Sequence, residues 1–151
     1  MQEITVRANE LQREIGSLVK ATAPALLAIP GCAELTAAKI VAEAARIERF
    51  PTEGHFARYA GAAPVPASSG AVHRHRFNRR GNRQLNAALH RIAVTQLRIH
   101  QPAKDYIAKK RSEGMSKTEA IRALKRRLSR VVFKTMTSVN RPTDGLVAVA
   151  A

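Results

Sequence analysis

The sequence predicts an all-α fold: a compact multi-helix domain with a helix-hairpin-helix-like element, preceded by a long N-terminal helix. Three observations carry this reading. Apolar residues make up 45% of the chain with Ala foremost among them, while aromatics make up only 4%. Ala and Arg favour helix, and the β-branched and aromatic strand formers are scattered. Most of the chain also falls into segments with apolar residues at helical spacing, and Pro and Gly stand between those segments. At 151 residues the chain suits one domain, large enough to bury a core without disulfides or a structural metal.

Residues 3–22 read as the first helix, with Ile4, Leu11, Ile15, Leu18 and Val19 at helical spacing and Pro24 as its stop. Leu26 to Ile29 is a short apolar turn, broken by Pro30-Gly31. A second helix is expected from Leu35 to Arg46, with Ile40, Val41, Ala44 and Ile47 on one face, and a short one near His55 to Ala60. Residues 61–81, with Pro64, Pro66, Ser68, Ser69, Gly70 and Gly81, read as an irregular segment; loops of that length inside a domain are commonly functional or disordered. Helix resumes from Asn82 to His100 on a stripe of Leu85, Leu89, Ile92, Ala93 and Leu97. Pro102 sits in the first turn of the next helix, which runs to Ser112 with Gly114 as its C-cap. Ser116 and Glu119 make a capping box for a last helix. That helix is apolar at Ile121, Leu124, Leu128, Val131 and Val132, and basic at Arg122, Lys125, Arg126, Arg127 and Arg130. The expected organisation is an N-terminal helix over 1–23, a helical domain over 24–139 and a flexible tail over 140–151.

Charge narrows the function. The formal net charge is +15, and it is unevenly spread. Residues 1–53 hold seven acids and six Lys/Arg, whereas residues 54–151 hold four acids and twenty Lys/Arg. Between Gly54 and Lys104 there is no acid at all. A merely solvated basic face would mix Lys with Glu. An acid-free, Arg-rich stretch repels itself until a polyanion neutralises it, so nucleic acid is the indicated partner. No membrane is implicated, since no segment has the length and apolarity of a span and no helix pairs a bulky apolar face with a Lys-rich one. The N-terminus does not read as a secretory signal, and a cytoplasmic location is expected. The lone Cys32 has no disulfide partner and reads as a small buried apolar residue.

Two motifs carry candidate chemistry. The first, Leu27 to Ile40, has the form of a helix-hairpin-helix around Pro30-Gly31. A tight Gly31 turn can aim backbone N–H groups at a DNA phosphate beside a helix N-terminus, and Lys39 can add charge. Ala33 stands where a second glycine is usual, and Glu34 places a negative charge nearby. The motif reads either as a DNA-backbone contact or as a packing element. The second motif runs YAGAAPVPASSG over 59–70 and continues through His73, Arg74, His75, Arg76, Arg79, Arg80, Gly81, Asn82 and Arg83. A serine hydroxyl needs activation to act as a nucleophile, and phosphoryl transfer needs positive charge around the phosphate oxygens. Arg74, Arg76, Arg79, Arg80 and Arg83 can supply that charge. On composition alone, Ser68-Ser69-Gly70 is equally an ordinary loop. His73-x-His75 lacks a Cys or a nearby carboxylate and makes a poor metal site, so no metal ligand is assigned.

The run YAGAAPVPASSGAVHRHRFNRRGNRQLNAALHRIA, with LLAIPGCAELTAAKIVAE upstream, resembles the C-terminal domain of the insertion-sequence 110 transposase family over roughly residues 24–136. That resemblance implies a two-part enzyme, in which this domain is joined to an RNase H-like domain whose acids bind Mg²⁺. It implies that the serine before glycine, Ser69, or its neighbour Ser68, attacks a DNA phosphodiester to give a 5′-phosphoserine. Some family members use a structured RNA to choose their DNA. The first helix would then be a remnant of the coiled-coil linker, able to self-associate. The chain's own acids read as scattered, so it binds no cofactor itself. Mg²⁺ is expected only with the acidic domain, and activity only with that domain in trans. The alternative is a non-enzymatic nucleic-acid-binding module that keeps the hairpin and the basic face.

Overall fold

A computed structural model describes residues 2–69, 72–76 and 80–139, with backbone alone at residues 2, 65–69 and 72–76. The helices are α1 (Gln2–Thr22), α2 (Pro24–Leu27), α3 (Glu34–Ala44), α4 (Glu53–Tyr59), α5 (Arg83–Ile99), α6 (Gln101–Ser112) and α7 (Lys117–Val139), with a 3-10 turn at Ile47–Arg49. The fold is an all-α compact domain carrying one small departure. Residues 61–81 are not irregular throughout, because β1 (Val65–Ser69) and β2 (Val72–Arg76) pair as an antiparallel ribbon, Val65 opposite Arg76 and Ser69 opposite Val72. Nothing in the apolar pattern announces these strands.

Local chemistry sets most helix ends where the sequence places them. Pro24 not only follows α1 but also opens α2. Asn82 caps α5, accepting a hydrogen bond from the Leu85 amide at 2.9 Å. Pro102 lies in the first turn of α6, and Gly114 closes it at φ +94. Glu119 accepts from the Ser116 amide at 2.8 Å, and Ser116 Oγ accepts from the Glu119 amide at 3.3 Å, which completes the capping box. The end of α3 differs from expectation. It stops at Ala44 rather than Arg46, because Ala45 turns to φ +51 and sends the chain into the 3-10 turn.

The core is built on α5. Leu85, Leu89 and Ile92 are fully buried, together with Leu26, Ile40, Ile47, Phe56 and Val132. Each such side chain contributes about 1.5–3 kcal/mol by leaving water. α3 and α7 pack on α5, and α4 packs on α7. Phe50, Phe56, Tyr59 and Phe133 form one ring cluster, with centroids 5.3 Å apart for Phe50–Phe56 and 5.9 Å for Phe56–Phe133. This cluster fixes α4, and therefore the point from which the ribbon departs. α1 meets the domain only through its C-terminal half: Val19 is buried and Ile15 partly so, whereas Ile4, Leu11 and Leu18 are exposed. Lys20 of α1 pairs with Glu34 of α3 at 2.7 Å.

Candidate nucleic-acid interface

The ribbon leaves the helical core at a joint made of backbone. A Cβ on Gly81 would lie 2.3 Å from the Gly61 Cα and 2.4 Å from its N, so the two glycines touch where no side chain fits. Gly61 itself has φ +65. Next to this contact the Asn82 amide donates to the Tyr59 carbonyl at 2.7 Å. Gly61 and Gly81 of the 59–83 motif thus close the foot of the ribbon, directly at the start of α5.

A polar network braces the joint. Asn82 Nδ2 donates to Glu43 Oε2 at 2.7 Å and to the Tyr59 hydroxyl at 3.2 Å, while the Tyr59 hydroxyl donates to the Glu43 carbonyl at 3.3 Å. The Arg49 guanidinium lies over the rings of Phe50 and Tyr59, at 4.6 and 4.5 Å from their centroids. Hydrogen bonds, first from Arg49 and then from Asn82, hold the Tyr59 hydroxyl below the ordinary phenol pKa. Behind the joint, Asn86 Nδ2 donates to the Ala60 carbonyl at 2.9 Å. Asn86 Oδ1 in turn accepts from Lys125 Nζ of α7 at 2.6 Å. Lys125 is only 7% exposed. Burial first, and the charge of Arg122 second, push its pKa down.

Ser68 and Ser69 fall at the end of β1, and Arg74 and Arg76 on β2. Arg79 lies outside the described residues. Arg80 and Arg83 are both exposed, just before and at the start of α5. Lys39 is brought to the same end of α5, where its Nζ donates to Gln84 Oε1 at 2.8 Å. Lys39, Arg80 and Arg83 therefore gather at the ribbon's foot, beside the electropositive N-terminus of a helix.

Gly31 is placed differently. Its φ is +82, and an added Cβ would lie 3.1 Å from both the Ile92 carbonyl oxygen and Thr95 Cβ. The Pro30 carbonyl accepts from buried Gln96 at 2.8 Å. The Pro30-Gly31 turn is thus seated on α5, and its geometry accounts for Gly31 by packing. Ala33 is extended at φ −83, so the positive φ of the turn falls on glycine and Ala33 bears no strain. Glu34 faces Lys20 of α1. Cys32 is buried, and burial raises its thiol to about 11, which leaves it uncharged at neutral pH.

Glu43, Arg49, Tyr59, Asn86 and Lys125 were not singled out for the joint by sequence reasoning. Asn86 did offer a signal, since a poor helix former in mid-helix invites a tertiary partner. Among the described residues, no group of three His, Cys, Asp or Glu could hold a metal ion. No helix among them is long and apolar enough to cross a membrane.

The family model described as "Transposase IS116/IS110/IS902 family" matches residues 23–108. Among curated proteins, the chain is 33% identical over 126 residues to "Insertion element IS110 uncharacterized 43.6 kDa protein" of Streptomyces coelicolor, which is 82% of this chain and 31% of that protein. It is 34% identical over 100 residues to "Insertion element IS116 uncharacterized 44.8 kDa protein" of Streptomyces clavuligerus, covering 66% of this chain and 25% of that protein. It is 31% identical over 110 residues to "Insertion element IS900 uncharacterized 42 kDa protein" of Mycobacterium paratuberculosis, covering 72% and 28% respectively. The chain spans less than a third of the length of each of these relatives.

Proposed function

Because this chain belongs to the IS116/IS110/IS902 transposase family, we propose that it is the DNA-handling, serine-bearing part of a transposase. The observation that carries the reading is the joint at Gly61 and Gly81. It roots the strand containing Ser68 and Ser69 where Lys39, Arg80 and Arg83 gather. An element anchored in this way suits presentation of a nucleophile to a phosphate better than a free loop would.

On this reading the Ser69 hydroxyl, or that of Ser68, gives up its proton and its Oγ bonds to the phosphorus of a DNA phosphodiester. The bond from phosphorus to the 3′ oxygen breaks, and that oxygen leaves with a proton as a 3′ hydroxyl, so the 5′ end stays on serine as a phosphoester. Arg74, Arg76, Arg79 and Arg80 offset the negative charge that builds on the phosphate oxygens. The donor set among the described residues does not fit Mg²⁺. On this reading the metal-binding acids belong to an RNase H-like domain. A structured RNA would meet the same acid-free stretch between Gly54 and Lys104. The exposed Ile4, Leu11 and Leu18 of α1 would serve association with a second copy, which sedimentation at rising concentration tests.

The function is tested by trapping. The protein is incubated with an acidic RNase H-like domain of a family relative, Mg²⁺ and end-labelled duplex or branched DNA, then run on a denaturing gel beside Ser69→Ala and Ser68→Ala. A covalent band lost in one serine variant supports the reading and chooses between the two. Salt-sensitive DNA binding with no covalent band in any mixture would leave a non-enzymatic binding module.

A further inference from the structure

Six of the eight exposed residues of α5 fall on one face, with Gln84 at its edge and Ile99 off it. Arg83, Ala87, His90, Arg91, Val94 and Arg98 are all exposed, whereas Leu85, Ala88, Leu89, Ile92, Ala93 and Gln96 are buried. At 100° per residue, the three arginines lie within about 80° of one another around the helix. They are separated by eight and seven residues, or about 12 and 10.5 Å along the axis at 1.5 Å per residue. The row from Arg83 to Arg98 is therefore about 22 Å long. Ala87 and Val94 between them are short and uncharged, which keeps the surface low.

No acid occurs anywhere in α5, and none of the three arginines forms an ion pair with a described residue. Solvated helix faces ordinarily set Glu against Lys or Arg three or four residues away. Here the like charges stand about one Debye length apart with nothing of opposite sign among them. The row begins at the foot of the ribbon, where Lys39 meets Gln84.

We propose that this face of α5 is a track for the sugar-phosphate backbone of duplex DNA, running from the ribbon's foot to Arg98. The inference rests on the DNA-handling reading above and extends it to residues outside the ribbon motif. At 3.4 Å of axial rise per step, the row is as long as about six base-pair steps of duplex. The side chains of Arg83, Arg91 and Arg98 meet phosphates, and the short residues between them let the backbone approach. Such contacts position the DNA without reading its sequence. Their effect is to hold the duplex in line with the ribbon, so that one phosphodiester lies at the β1–β2 end.

The test is fluorescence anisotropy with the full chain and a labelled 20-base-pair DNA duplex across a salt series. Arg91→Gln/Arg98→Gln is compared with Arg111→Gln/Arg122→Gln, which removes the same charge from exposed positions on α6 and α7. The α5 pair is expected to weaken binding by on the order of tenfold or more at 0.1 M salt. It should also flatten the log K against log salt slope by about 1.8, at 0.9 per phosphate contact. The control pair should change affinity less than about threefold, as expected for long-range charge alone. Thermal melts establish that both variants fold. Equal losses in the two pairs, or no loss in the α5 pair, overturn the track while leaving DNA binding intact. A wild-type chain that binds no duplex DNA at any salt overturns the DNA-handling reading itself. A matching RNA duplex bound more tightly than DNA, with the loss confined to RNA, overturns the assignment to DNA.

Discussion

α5 and α7 are both long and amphipathic and both carry cations, yet they use those cations in opposite ways. On α7, Lys125 is buried against Asn86, Arg130 pairs with Glu53 at 2.7 Å, and Arg127 lies 5.3 Å from the Tyr106 ring centroid. Arg126 is half-buried. Much of the positive charge of α7 thus ties the domain together. On α5, Arg83, Arg91 and Arg98 project outward with no acid on the helix. A count of basic residues, three on α5 and seven on α7, would point to α7 as the stronger binding face. What separates them is the position of each helix: α5 packs on α3, α6 and α7 and keeps one face free, while α7 is bordered by α4, α5 and α6.

Substitutions at the ribbon's joint strain this comparison most, because they unseat the start of α5. Gly81→Ala forces a Cβ to within 2.3 Å of the Gly61 Cα, a backbone clash that no rotamer relieves. A loss of about 2–4 kcal/mol is expected in urea melts, with faster amide exchange over residues 59–83. A fully stable Gly81→Ala protein would refute the backbone contact. Lys125→Ala should cost about 1–3 kcal/mol, since it leaves Asn86 Oδ1 without its donor in a buried setting. Arg91→Ala should cost no more than about 0.5 kcal/mol, as a free surface residue does. Comparable losses for these two variants would erase the contrast between the helices.

Titration sharpens it further. The folded-state pKa of Lys125 lies below its unfolded value, so between the two values the unfolded chain binds more protons. Stability relative to Lys125→Met, followed by urea midpoints, should therefore rise as pH climbs through that window towards 10.5. A flat difference would mean that the ammonium is solvated. Cys32 behaves oppositely, because burial raises its pKa from 9.0 to about 11. The stability it contributes is complete below pH 9.0 and is lost as pH rises through 11. The smallest effect is chemical: at pH 8 the native protein should resist iodoacetamide, whereas unfolded protein should react quickly. Rapid labelling of the native thiol would contradict its burial.

The features legible in the sequence are those decided locally. The Asn82 cap, the Gly114 stop and the Ser116–Glu119 box are each set by side chains within one helical turn, and each holds in the structure. The ribbon was not legible. Val65-Pro66-Ala67-Ser68-Ser69 has the composition of a loop, and its pairing is rooted at two glycines twenty residues apart. The candidate serines could be placed by family resemblance, but the joint that positions their strand could not. Glu43, Arg49 and Lys125 reach it from three other elements and look like ordinary surface charges in a linear reading. For the same reason the basic face expected on α7 gave no warning that part of it is committed to internal contacts.

The contrast between α5 and α7 is tested most directly by amide and arginine Nε–H NMR of the chain, titrated with duplex DNA. The account predicts the largest shifts at Arg83, Arg91 and Arg98 and at the foot of the ribbon, with Arg127 and Arg130 nearly unmoved. Shifts concentrated on α7, with α5 silent, would contradict it.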